Sequence, residues 1–105
     1  MAQFRVYENP NKASRKTYPF FLDIQSDLLA DLRTTVVIPL SPVDRAAKAA
    51  FTRLTPVVAF NGGSWLVLTP QIAAIDRSHV GKPVADLTSH RAELVAALDF
   101  LISGI

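Results

Sequence analysis

The chain opens on an alternation of polar and apolar positions, with Phe4 and Val6 two apart, and this period predicts a first strand. A polar, turn-rich stretch over positions 8–16 follows, introduced by Asn9-Pro10-Asn11, and reads as a loop. Positions 18–24 are aromatic and aliphatic and predict a second strand, with Pro19 keeping its start at an edge or bulge. Thr34-Thr35-Val36-Val37-Ile38 is β-branched throughout, the composition that best suits a pleated sheet. Pro39 is expected to end that strand, because it has no amide hydrogen for the ladder. Positions 56–60 and 64–69 predict two more strands around Asn61-Gly62-Gly63, residues that tolerate positive φ and so signal a hairpin. A short strand is expected at 72–75, then a loop at 79–83.

From position 88 to 103 the period changes to that of a helix. Leu94, Leu98, Leu101, Ile102 and Ile105 fall on one apolar face, with Arg91, Glu93 and Asp99 between them. Thr88 or Ser89 can cap its first amides. At the other end Gly104 can turn left-handed and lay Ile105 against Phe100 in a Schellman cap. Positions 41–53 have two readings: a helix opened by Ser41-Pro42 and carried by an alanine-rich segment, or an irregular crossing. The pattern as a whole is a run of antiparallel strands followed by one helix. It predicts an α+β domain with a twisted, barrel-like sheet, and 105 residues suffice for one such domain, spanning 1–105.

Composition narrows the chemistry. A formal charge of +2 is too small to argue for nucleic-acid binding by itself. The absence of cysteine removes disulfides and thiolate metal sites and fits a reducing cytoplasm. The N-terminus lacks the apolar core of a signal peptide, and the longest apolar run, 94–102, is too short to cross a bilayer. Asn61-Gly62-Gly63 lacks the lysine and following helix of a phosphate loop. His79 and His90 have no partner at metal-ligand spacing, and their neighbours Ser78 and Ser89 are placed too close in sequence to form a nucleophile–base pair. Asp23 and Asp27 share a face only if their strand runs on unbroken. Trp65, in mid-hairpin, reads as core or as a stacking platform. The expectation is a protein that is not an enzyme, with no cofactor and no metal.

Several stretches together resemble the CcdB family of bacterial toxins. They are Gln3-Phe4-Arg5-Val6-Tyr7, Asp23-Ile24-Gln25-Ser26-Asp27, Val37-Ile38-Pro39-Leu40, Pro56-Val57-Val58, Ser64-Trp65, Val84-Ala85-Asp86-Leu87 and Gly104-Ile105. They occur in the family's order from end to end. The resemblance implies an SH3-like antiparallel barrel or sheet of the CcdB/MazF type, a small accessory sheet and a C-terminal helix. It also implies a homodimer that binds the DNA gyrase A subunit and traps the broken-DNA complex. A CcdA-like antitoxin with a disordered tail would neutralise it and, with toxin bound, repress the operon, so that DNA is met only through the antitoxin.

Carried across by position, the gyrase-facing residues would be Leu28 and Leu29, then Asp99, Ile102, Ser103, Gly104 and Ile105. Ser103 departs from the family pattern, because the best-known member has a tryptophan there. Losing a large planar contact of that kind weakens most interfaces. Antitoxin contacts would fall on Asn11, Lys12, Arg15 and Lys16 and on Asp44, Arg45 and Lys48. Two alternatives accompany this reading: a non-toxic homologue kept for antitoxin binding and operon regulation, and a MazF-like endoribonuclease on the same fold.

Overall fold

The β-branched run at 34–38 does form a strand, and that strand continues through Pro39. In this computed structural model, which describes residues 2–43 and 53–104, it spans nine residues, Thr34–Pro42. In chain order the strands are β1 (Arg5–Glu8), β2 (Phe20–Asp23), β3 (Thr34–Pro42), β4 (Val57–Phe60), β5 (Gly63–Val67), β6 (Ala73–Asp76) and β7 (Pro83–Asp86), followed by the helix α1 (Arg91–Ser103). All pairings are antiparallel, in the order β4-β5-β3-β2-β1-β7, with β6 also on β3.

The length of β3 organises the sheet. Along one edge it pairs β2, from Val37↔Asp23 to Leu40↔Phe20. Its other edge is divided: β6 takes Thr34 to Val37, and β5 takes Leu40 to Pro42. Pro39 sits where β6 ends and β5 has not begun, so its missing N–H faces no strand acceptor, while its carbonyl takes the Leu68 N–H at 3.1 Å. The expected break at Pro39 is therefore corrected. Ser41 and Pro42 also belong to β3, opposite Leu66 and Trp65, and do not open a helix. Of that expected segment, positions 44–52 lie outside the described residues. Because β3 serves both partners, all seven strands share one hydrogen-bonded network, and the smaller sheet expected beside the main one is joined to it.

Apolar side chains align across the sheet by register. Val6, Leu22 and Ile38 lie side by side, as do Phe20, Leu40 and Val67. These two rows, with Phe4, Val58, Leu87 and Leu94 of α1, form the core. Trp65 belongs to its margin: it stacks on Phe60 at 5.4 Å and meets Phe20 edge-on at 4.8 Å, a core wedge and not an open platform.

Two elements differ from expectation for local reasons. β7 falls where a loop was expected to end; it has only four residues and starts with proline, which suits an edge strand. α1 starts at Arg91 with His90 at its N-cap and no side-chain cap, so neither Thr88 nor Ser89 caps it. Asp86 orders the turn before it, its carboxylate accepting from the Thr88 amide at 2.8 Å and from its hydroxyl.

The hairpin forms as predicted, with Asn61 (φ 49°) and Gly62 (φ 79°) both left-handed. Asn61 also reaches across the curled sheet: its side-chain amide donates to the Val84 carbonyl of β7 at 3.1 Å, tying the two ends together. Asn61→Ala would lose that bond and put alanine at positive φ. It is expected to destabilise the fold by about 1–2 kcal/mol, measured by urea unfolding; an unchanged midpoint would show that the tie carries no weight.

Candidate functional site: a helix tip and an apolar loop

The last turn of α1 is built to end in the open. Leu94 and Ala97 are buried and Leu98 and Leu101 half-buried, so the stripe that docks the helix is 94, 97, 98, 101. Ile102, expected on that face, is instead 81% exposed, since one step round the helix turns it away from Leu101. Gly104 takes the left-handed conformation (φ 74°) and its N–H donates to the Phe100 carbonyl at 3.0 Å. That single bond is the simpler left-handed cap. The further Schellman contact expected of Ile105 lies outside the described residues. Above the Phe100 ring sits the Arg53 guanidinium, 4.7 Å from its centroid. The Ser103 hydroxyl donates to the Asp99 carbonyl at 2.6 Å, so it is turned back into the helix and not outward. Asp99, Ile102, Ser103 and Gly104 are all exposed at this negative end of the helix dipole.

A second exposed apolar patch follows β2. Asp27–Leu29 is a 3-10 turn capped by the Ser26 hydroxyl, which accepts from the Leu28 amide at 3.2 Å. Leu28 is 94% exposed, Leu29 47% and Leu32 50%. None of these leucines is the core anchor that an apolar pair suggests by default. Polar ties fix the loop instead. Asp27 accepts from the Gln3 amide at 2.8 Å, and the Gln25 side chain donates to the carbonyls of Leu29 (3.4 Å) and Thr34 (3.3 Å). Arg77, just after β6, donates to the carbonyls of Leu32 at 2.6 Å and Leu29 at 3.2 Å. Neither Leu32 nor Arg77 stood out in the sequence. The partners of Arg77 lie 45 and 48 positions away, beyond any local pattern.

The loop expected to meet the antitoxin is ordered from within. Asn9, 4% exposed, donates to the Tyr18 carbonyl (2.8 Å) and the Ser14 hydroxyl (3.0 Å) and accepts from the Asn11 amide (3.0 Å). Around that buried amide Asn11, Lys12, Arg15 and Lys16 stand exposed. On one side of the loop, a groove of about 480 Å³ runs between Arg15 and Lys82 over Pro10, Pro19 and Phe20. A cleft of about 390 Å³ on the other side is lined by Asn11, Ser14, Phe21, Ile75, Ser78 and His79. Asp44, Arg45 and Lys48 lie outside the described residues.

The titratable groups are largely engaged in structure. Asp27 is tied to Gln3, and Asp23 to Thr35 and Gln25, so they have separate roles. His90 lies 3.2 Å from Glu93, and His79 stands exposed in the smaller cleft. Half-buried Asp76 is held below the usual carboxylate range by the Ser78 amide and hydroxyl, with Arg33 helping; Asp86 is lowered by the Thr88 hydroxyl and amide. Asp23 goes the other way. Burial pushes its carboxyl up, and the hydrogen bond from Thr35 Oγ1 at 2.8 Å only partly offsets this.

A carboxyl whose folded pKa exceeds its unfolded value favours folding below the unfolded value, near 3.8, and that contribution is lost as pH rises through the folded value. Asp23→Asn keeps an acceptor for Thr35 without the charge. The variant is therefore expected to be more stable than the parent at neutral pH, with the difference closing in acid. Urea midpoints across pH would test this, and a parent that is the more stable at neutral pH would refute it.

A curled antiparallel sheet closed by a C-terminal helix defines a class with solved members. Over 94% of this chain and 91% of the other, the structure superposes with a TM-score of 0.73 and 11% identity on an endoribonuclease in complex with its cognate antitoxin from a mycobacterial species. A family model described as CcdB protein matches residues 3–104, and the chain belongs to the CcdB family, the toxins of toxin–antitoxin modules that its sequence resembles. The match to the endoribonuclease corrects one expectation. This architecture houses an enzyme, so the exclusion of catalysis drawn from the sequence does not stand. Catalytic groups on such a sheet can come from several separate strands, and the lack of a spaced motif says little about them. Among the described residues, no helix is long and apolar enough to cross a membrane.

Proposed function

We propose that this chain is a homodimeric, cytoplasmic toxin that binds the DNA gyrase A subunit and holds gyrase on cleaved DNA. On this reading a CcdA-like antitoxin neutralises it and joins it in repressing their operon. The observation that carries the reading is the family match over residues 3–104; an exposed helix tip and an exposed Leu28-Leu29 pair, the positions that the resemblance assigns to gyrase, support it. Ile102 and Leu28 are large apolar groups held in water, a cost that binding would reverse. The basic loop of Lys12, Arg15 and Lys16 suits an acidic antitoxin tail, and it stands apart in sequence from both apolar patches.

The inward-turned Ser103 favours one second reading, a homologue that binds antitoxin without poisoning gyrase. A single assay separates them: purified gyrase, supercoiled plasmid, ATP and this protein, stopped with detergent and protease. Linear DNA is the expected product. Its absence, with folded protein that binds antitoxin, would select the second reading.

A further inference from the structure

The loop after β2 has an unusual construction. Residues 27–34 are all exposed, so no buried side chain holds it in shape. It nevertheless carries three outward leucines, Leu28, Leu29 and Leu32. Such a loop left to itself would fold its leucines inward or sample many conformations. What opposes this is a set of polar ties, of which Arg77 has the longest reach. Its Nε donates to the Leu32 carbonyl at 2.6 Å and its Nη2 to the Leu29 carbonyl at 3.2 Å, while its own amide donates to the Arg33 carbonyl at 3.0 Å. Beside it Arg33 and Asp76 pair at 3.4 Å. One planar guanidinium thus grips two carbonyls three positions apart on the segment between the exposed leucines. A lysine ammonium lacks the fork to reproduce that grip.

We propose that Arg77 is a positioning residue that presents Leu28, Leu29 and Leu32 as one preformed apolar anchor for the gyrase A subunit, with Leu32 a third contact beside the family pair. The inference rests on the gyrase reading and adds to it. It also says where binding free energy resides in a chain whose helix tip has serine at 103. Among the described residues two exposed apolar patches stand out, and the loop is the larger, with three leucines against Ile102. Ordering the loop in the free protein removes an entropy cost from binding.

The test combines hydrogen exchange with titration. In Arg77→Ala, amides of residues 28–33 should exchange faster than in the parent, and affinity for the gyrase A subunit should fall about tenfold, the size expected for losing charged hydrogen bonds. Antitoxin affinity should not change. Arg77→Lys keeps the positive charge and guards against misfolding, and it should show the same loss in weaker form. Leu32→Ala should also weaken gyrase binding. In a Leu28→Ala/Leu29→Ala/Leu32→Ala background the further effect of Arg77→Ala on gyrase binding should vanish, which a merely structural role would not produce. Parent-like exchange in Arg77→Ala would overturn the clamp, and parent-like gyrase affinity in Leu32→Ala would overturn the third contact. If the parent itself fails to bind gyrase, the gyrase reading falls; the exchange comparison still decides whether Arg77 holds the loop.

Discussion

Deleting Gly104 and Ile105 is expected to abolish gyrase-dependent DNA breakage while leaving the rest of the chain folded. Structurally the loss is small. One cap bond disappears, from the Gly104 amide to the Phe100 carbonyl. Its loss costs about 1 kcal/mol, well within the ~5–15 kcal/mol of a typical domain. The docking stripe of Leu94, Ala97, Leu98 and Leu101 is untouched. For partner binding the loss is expected to be large, because on the gyrase reading both deleted residues belong to the contact, and Gly104 stands exposed at the tip. The variant should give no linear DNA in the cleavage assay, bind antitoxin as the parent does, and melt only slightly lower. Undiminished breakage would remove the tip from the mechanism. Wholesale unfolding would reduce Gly104 to a cap.

The largest effect on stability is expected from Leu22→Ala. Leu22 is fully buried, between Val6 and Ile38 in register, at the centre of the sheet's inner face. Truncation removes the transfer energy of the lost methyl and methine carbons and leaves a cavity between strands that cannot close on it. A loss of about 3–4 kcal/mol follows from comparable core truncations. That is a large share of the folding free energy of a chain this size. Urea unfolding would measure it, and a loss below about 1 kcal/mol would mean that the sheet can collapse around the gap.

What could be read in advance depended on how local the determinants were. The Asn61-Gly62 hairpin was legible because two adjacent residues fix its turn, and the strand at 34–38 because five side chains share one preference. The same local logic failed at Pro39. A proline normally ends a strand, but it does so by lacking a donor, and here the edge it faces lies between two partner strands. The helix was visible from its period, yet period could not tell that Ile102 turns outward, since that depends on where the sheet lies. The family resemblance pointed to Leu28, Leu29 and the tip, whose described residues stand exposed. It could not reveal the long-range hold of Arg77 on that loop, which exists only once β6 has been laid beside β3.

Pro39 also bears on how the chain avoids wrong structures. Short strands competing for one long edge invite slippage, and a slip of two residues keeps each side chain on its proper face, so burial alone hardly penalises it. A β5 or β6 displaced towards the middle of β3 would bring a carbonyl against the proline nitrogen and find no hydrogen there. Each misaligned alternative forfeits a ladder bond that the native arrangement never needed. A residue usually counted as a sheet breaker thus acts as a spacer that keeps two neighbours in their own lanes and widens the gap between the native state and its nearest competitors.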